Sequence, residues 1–302
     1  MRFELGTRSY DLTTRPLVMG ILNRTPDSFY DHGAYWSEEA FMGRAEQLVA
    51  DGADLLDVGG VKAGPGPEVS EAEEMDRVVP VVAELVRRTG VPVSVDTWRA
   101  AVAAECFRAG AAMGNDISGF ADPGYLPAAA EAGATVVATH IRLAPRIPDP
   151  DPRYADVVEE VARYLQERVR RARQAGIPDA RIVIDAGLDL GKSPEHSARL
   201  LAASDRLAAL GFPLLLSASN KTFLGRLFDL DVGARGVASI AAHAVGVSLG
   251  CRILRVHDVA ATRRVVDTVA AVLQADRPLG DGCPSLGPTS LPTADRSGRG
   301  RP

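Results

Sequence analysis

Short apolar runs alternate with longer amphipathic stretches along most of the chain. The runs fall at 17–22, 54–58, 91–95, 111–115, 134–138, 181–184, 213–216 and 252–255, and they read as buried strands. Helical patterns lie between them, among them 37–50, 71–89, 98–109, 156–175, 193–203, 236–249 and 260–274. Gly52, Gly90, Gly110, Gly133, Gly176, Gly211 and Gly250 sit at the joints from helix to strand, where a left-handed cap is expected. Repeated strand–helix units over about 260 residues predict an α/β fold, a single closed (β/α)₈ TIM barrel. An open doubly wound sheet is the competing arrangement. Residues 3–13 alternate loosely and are expected to form an N-terminal hairpin that plugs the barrel floor. The barrel is expected to span residues 1–275. Residues 276–302 are rich in Pro, Gly, Ser, Thr and Arg, and are expected to form a disordered tail, because so few apolar side chains cannot offset the entropy of ordering.

Composition narrows the function classes. Hydrophobic residues make up 46% and charged residues 24% of the 302, as in soluble globular proteins. The net charge of −5 gives no electrostatic case for nucleic acid or an anionic membrane. No apolar run is long enough to cross a bilayer, and Met1–Gly6 lacks the apolar core of a secretory leader. Cys106, Cys251 and Cys283 are far apart, with no Cys-x-x-Cys spacing. A disulfide framework is therefore not expected, and the expected compartment is a reducing cytoplasm.

The first strand runs directly into Asn23-Arg24-Thr25-Pro26-Asp27-Ser28-Phe29, a polar, Pro-containing loop. In a parallel α/β protein the C-terminal end of a strand is where ligands bind. Polar residues recur at the other strand ends: Asp57-Val58-Gly59-Gly60, Asp96-Thr97, Asn115-Asp116, Thr139-His140, Asp185-Ala186-Gly187, Ser219-Asn220-Lys221 and Arg255-Val256-His257-Asp258. A lone Asp before a helix is more often a cap than a catalyst. A closed ring of such ends points to a ligand site. Asp96, Asn115 and Asp185 offer acceptors suited to the adjacent N–H donors of a flat heterocycle such as a 2-amino-4-oxo pterin. Asn23, Lys221, Arg255 and His257 suit a diphosphate, with Mg²⁺ held between Asn23 and phosphate oxygens.

Taken in order and spacing, these segments resemble the dihydropteroate synthase family from about residue 15 to about residue 275. Asn-x-Thr-Pro-Asp-Ser-Phe at 23–29 and Arg-Val-His-Asp-Val at 255–259 are its most specific motifs. The resemblance implies a homodimeric barrel that joins a dihydropterin-methyl diphosphate to p-aminobenzoate in folate biosynthesis. Diphosphate leaves first, and electrostatic stabilisation of the leaving group does most of the work. Carried over, Asp96, Asn115, Asp185 and Lys221 would grip the pterin. Asn23 would bind Mg²⁺ and diphosphate. Arg255 and His257 would hold the diphosphate. Phe29 and Asp31 would lie on a mobile first loop that closes over the cationic intermediate, which places Asp31 with Lys221, Arg255 and His257 among the catalytic residues.

The match breaks at particular loops. The family's second loop reads Asp-x-Gly-Gly-Glu-Ser-Thr-Arg-Pro-Gly; this chain has Ala63 at the Thr and Gly64 at the Arg. The sixth loop, Asp-Pro-Gly-x-Gly-Phe-Gly-Lys in the family, reads Asp185-Ala186-Gly187-Leu188-Asp189-Leu190-Gly191-Lys192 here. In the seventh, Asn220 replaces an Arg; Thr139 replaces a pterin-packing Met, and Arg24 an apolar residue. The pterin anchors survive while the p-aminobenzoate loops are altered, a pattern similar to the divergent actinobacterial second copies called inactive dihydropteroate synthase 2. Two or three lost charge-assisted contacts, at roughly 1.5–3 kcal/mol each, would remove useful activity. Lys62 or Arg24 is the available replacement cation, without the bidentate fork of Arg. The expected function is a pterin-binding paralogue with weak or no synthase activity. The alternatives are an active synthase and a methyltetrahydrofolate methyltransferase with a cobalamin partner. Asp57 and Asp116 are expected at least as much to fix loop backbones as to meet ligand. His196 and His243 carry no partner signal.

Overall fold

The computed structural model describes residues 1–13, 15–24, 38–64 and 66–275. The Thr-Pro-Asp-Ser-Phe segment, Asp31 and the tail from 276 lie outside the described residues.

An antiparallel hairpin, β1 (Arg2–Leu5) and β2 (Arg8–Asp11), comes first, with Phe3 opposite Tyr10. Eight parallel strands follow: β3 (Leu17–Asn23), β4 (Leu55–Gly59), β5 (Val93–Asp96), β6 (Met113–Asp116), β7 (Thr135–Thr139), β8 (Ile182–Asp185), β9 (Leu214–Leu216) and β10 (Cys251–Val256). They pair in sequence order, and β10 closes onto β3. That closure rules out the open sheet. The helices are α1 (Glu38–Ala50), α2 (Glu71–Thr89), α3 (Ala100–Arg108), α4 (Tyr125–Glu131), α5 (Val157–Gln174), α6 (Pro194–Ala202), α7 (Ser204–Ala208), α8 (Thr222–Phe228), α9 (Gly236–Ser248) and α10 (Val259–Ala275).

Helix α2 shows how the sequence encodes these elements. Ser70 caps it by accepting the Glu73 N–H at 3.1 Å. Acidic residues fill its first turn and Arg87 and Arg88 its last, matching the helix dipole. Val78, Val81, Val82 and Leu85 form the buried stripe, and Gly90 ends the helix at φ +65°. The short helices α4, α7 and α8 carry too few turns for periodicity to reveal them.

Side chains alternate across each strand, so every second residue faces the barrel interior. Val18, Leu56, Val95, Val136, Ile184 and Leu254 face the helices in the main core. Leu17, Met19, Leu55, Met113, Val137, Val183, Leu215 and Ile253 fill the interior together with Phe3, Leu5 and Leu12. The hairpin is therefore the expected floor plug. The Thr135 hydroxyl and Arg181 tie it down through the carbonyls of Glu4 (2.7 Å) and Gly6 (3.1 Å). Two residues further along the same inward rows, apolar gives way to polar: Leu55 to Asp57, Met113 to Asn115, Val183 to Asp185, Ile253 to Arg255. One alternation thus builds both a dry floor and a polar mouth.

Candidate functional site

Strand register brings the polar positions together. Gly59 pairs with Asp96, Asp96 with Asn115, and Thr139 with Asp185. At the centre is Arg255. Its Nε donates to Asp57 Oδ2 at 2.6 Å, and its Nη2 donates to Asp96 Oδ2 at 2.7 Å. Asn115 Nδ2 donates to the same Asp57 oxygen at 3.2 Å, which leaves its carbonyl oxygen as an acceptor. Asp57 is fully buried, and its Oδ1 has no hydrogen-bond partner among the described residues. Asp57 is thus shared by two side chains, Arg255 and Asn115, and of the two readings for it the loop-backbone one is not what these bonds show. Asp116 does play that role: it accepts the N–H groups of Ser118 (2.6 Å) and Phe120 (2.9 Å).

Burial sets the charge states. Burial pushes the Asp96 carboxyl up to about 7; Arg255 opposes the shift and Asp57 adds to it. Burial also raises Asp185, whose Oδ1 accepts the Gly187 N–H at 2.8 Å. Burial works against the Arg255 charge, but Asp57 and Asp96 outweigh it and hold the guanidinium firmly protonated. Burial, with Arg255 and Lys221 nearby, lowers His257 to about 3, so its imidazole is neutral. Ser219 Oγ accepts the His257 backbone N–H at 3.2 Å, and its own O–H faces His257 Nδ1 at 2.9 Å. In the tautomer where that hydroxyl donates to Nδ1, the ring proton is on Nε2. His257 can thus offer a hydrogen bond, while Arg255 and Lys221 supply the positive charge.

A cavity of about 550 Å³ opens above the ring. Lys221 and His257 line it, whereas Asp57, Asp96, Asn115 and Arg255 are closed on one another beneath it. Its walls come from the altered second, sixth and seventh loops, through Lys62 to Gly64, Asp189 to Lys192 and Ser219 to Phe223, and from the segment 141–149. Of the two replacement cations, Lys62 lines the cavity. Arg24 has its guanidinium 5.2 Å from the Phe41 ring centroid. Arg146, Arg226 and Arg235 add positive charge to the walls. Arg146 also ties the loop after β7 to the second loop. Its N–H donates to Ala63 O at 3.2 Å, and its guanidinium donates to Gly66 and Pro67 carbonyls.

Asn23 stands at the mouth end of β3, paired with Gly59. Among the described residues no group of three or more His, Cys, Asp or Glu could hold a metal ion. The side-chain amide of Asn23 is a neutral oxygen donor, so a Mg²⁺ here would draw most of its ligands from phosphate oxygens and water.

Sequence reasoning missed several of the contacts that join the loops. Lys192 is buried, with Nζ 2.8 Å from Gly187 O, 3.0 Å from Leu190 O and 2.8 Å from His140 Nδ1. It fastens the sixth loop to His140, a packed histidine with its ring 4.7 Å from Tyr164. Lys221 Nζ reaches Leu188 O at 3.2 Å, which links the sixth and seventh loops. His196 does have a partner: it completes a capping box with Ser193 at the start of α6. His243 is buried beside Thr262 at 3.3 Å, as packing predicts. The free cysteines Cys106 and Cys251 are both buried.

An eight-stranded barrel with these side chains at its mouth defines the class. Residues 19–257 match the family described as pterin binding enzyme, and the chain belongs to it. The chain is 43% identical over 271 residues to a Mycobacterium leprae protein named inactive dihydropteroate synthase 2, covering 87% of this chain and 92% of the relative. It is 39% identical to the Bacillus subtilis dihydropteroate synthase, covering 86% and 89%. The structure of Xanthomonas albilineans dihydropteroate synthase with 4-aminobenzoic acid aligns at a TM-score of 0.83 and 41% identity, covering 90% and 98%. The chain is a dihydropteroate synthase-like pterin-binding barrel.

Proposed function

We propose that this barrel binds a pterin diphosphate and has lost most or all capacity to condense it with p-aminobenzoate. Overall identity does not separate the inactive from the active relatives, at 43% and 39%. The observation that carries the reading is the contrast within the site. The Asp57–Arg255–Asp96 network with Asn115 is complete and Asp185 stands at the same mouth, while the wall above carries Ala63, Gly64 and Asp189.

In this reading a pterin enters beneath the cavity, and its N–H donors meet Asp96, Asp185 and the Asn115 carbonyl. Two of the three guanidinium nitrogens of Arg255 are committed to carboxylates, so Arg255 positions Asp96 and holds positive charge near the reacting carbon. Lys221 and the Nε2–H of His257 face the diphosphate. Asn23 would hold Mg²⁺ through the diphosphate, and the metal would neutralise charge on the departing group.

Among the described residues no helix is long and apolar enough to cross a membrane. We place the protein in the cytoplasm as a homodimer. Support for the dimer comes from exposed apolar residues on the late helices: Phe228, Val237 at 84% exposure, Val245 and Val272.

The test is chromatographic detection of dihydropteroate from purified protein, (7,8-dihydropterin-6-yl)methyl diphosphate, p-aminobenzoate and Mg²⁺, with Asp96→Ala as control. The expected result is no product or a trace. Product that disappears in the control would identify a working synthase.

A further inference from the structure

The sixth loop carries a carboxylate where the family motif has glycine. Asp189 lines the cavity. Its Oδ2 accepts the Thr222 N–H at 2.6 Å and lies 3.3 Å from the Phe223 nitrogen; its Oδ1 accepts the Phe223 N–H at 3.2 Å. Its backbone sits at φ +67°, a region that L-residues other than Asn and Asp seldom enter. These bonds hold it there.

We infer that Asp189 is a specificity-determining residue that excludes a carboxylate from this wall of the cavity. An amine that reaches this wall is therefore favoured with an uncharged far end over a carboxylate. Two effects act together. The Thr222 and Phe223 N–H groups already have an internal partner in Asp189. A second negative charge brought close to Asp189 would also be repelled in a partly dehydrated cavity. The cations Lys62, Arg146 and Arg226 line other parts of the cavity. An anionic group is thus drawn away from the wall built by Asp189, Thr222 and Phe223.

This inference rests on the proposed function for the neighbouring pterin, so the test keeps the two apart. Calorimetric titrations compare p-aminobenzoate with p-aminobenzamide, its uncharged analogue of the same shape, with and without the pterin diphosphate. Wild type, Asp189→Asn and Asp189→Gly are used. Glycine is at ease at φ +67°, and the asparagine keeps the volume while removing the charge. Wild type is expected to favour the amide. Both variants should shift the preference toward the carboxylate by about tenfold or more. An unchanged acid-to-amide ratio in both variants would overturn the inference, as would failure of folded Asp189→Gly to bind either compound. Absence of pterin binding alone would count against the proposed function and leave the ratio readable.

Discussion

The ring at the barrel mouth and the wall of loops above it are built from the same strand ends but held by different forces. In the ring, Asp57 is fully buried, and its partner Arg255 is 198 residues away along the chain. A substitution there strands a charge. In the wall, a Cβ added at Gly64 would meet nothing within 4 Å. A substitution there changes chemistry and leaves the fold almost untouched. Loops can therefore lose a reaction while the ring keeps its binding groups, because the ring also holds the barrel mouth together.

The sharpest way to break that comparison is Arg255→Ala. It leaves Asp57 and Asp96 buried without their cation, and should cost about 3–5 kcal/mol in denaturant-unfolding free energy. A loss below about 1 kcal/mol would show that the ring is not a structural element. Asp116→Ala comes next. It removes the acceptor of two backbone N–H groups, with an expected loss of about 1–3 kcal/mol in the same measurement.

The charge state of the ring gives a pH-dependent effect. The Asp96 carboxyl stands at about 7 against an ordinary value of 3.8. The folded state therefore keeps a proton that the unfolded chain has released over this interval. That contribution to stability is complete below about pH 4 and is lost as pH rises through about 7. Unliganded wild type should lose stability across that window relative to Asp96→Asn, by about 1 kcal/mol per pH unit or less. Identical pH profiles would place Asp96 at an ordinary carboxylate value.

The smallest effect belongs to the wall. The double change Ala63→Thr, Gly64→Arg should alter stability by no more than about 0.5 kcal/mol. If the second loop is the main defect, it should raise dihydropteroate formation in a protein that binds pterin diphosphate. No gain would move the defect to the sixth or seventh loop.

The strands were legible because each run of apolar residues feeds one inward and one outward row, so the barrel followed from local pattern and spacing. The ring positions were legible as strand ends, since polar residues at Asp96, Asn115, Asp185 and Arg255 interrupt those rows. The role of Asp57 was not, because its partners Asn115 and Arg255 come from distant strands and only closure brings them together. Asp189 was visible as a departure from the family motif. Its capping of Thr222 and Phe223, more than thirty residues on, depends on how two loops meet. Helices α4, α7 and α8 escaped notice because five to seven residues hold too few turns for an apolar stripe.

We propose that the ring retains pterin binding while the wall has lost the transfer. Direct calorimetric titration with (7,8-dihydropterin-6-yl)methyl diphosphate and Mg²⁺ tests it, with wild type beside Asp185→Ala. The account predicts saturable one-site binding to wild type, weakened by about tenfold or more in the variant. Folded wild type that takes up no pterin diphosphate would contradict it.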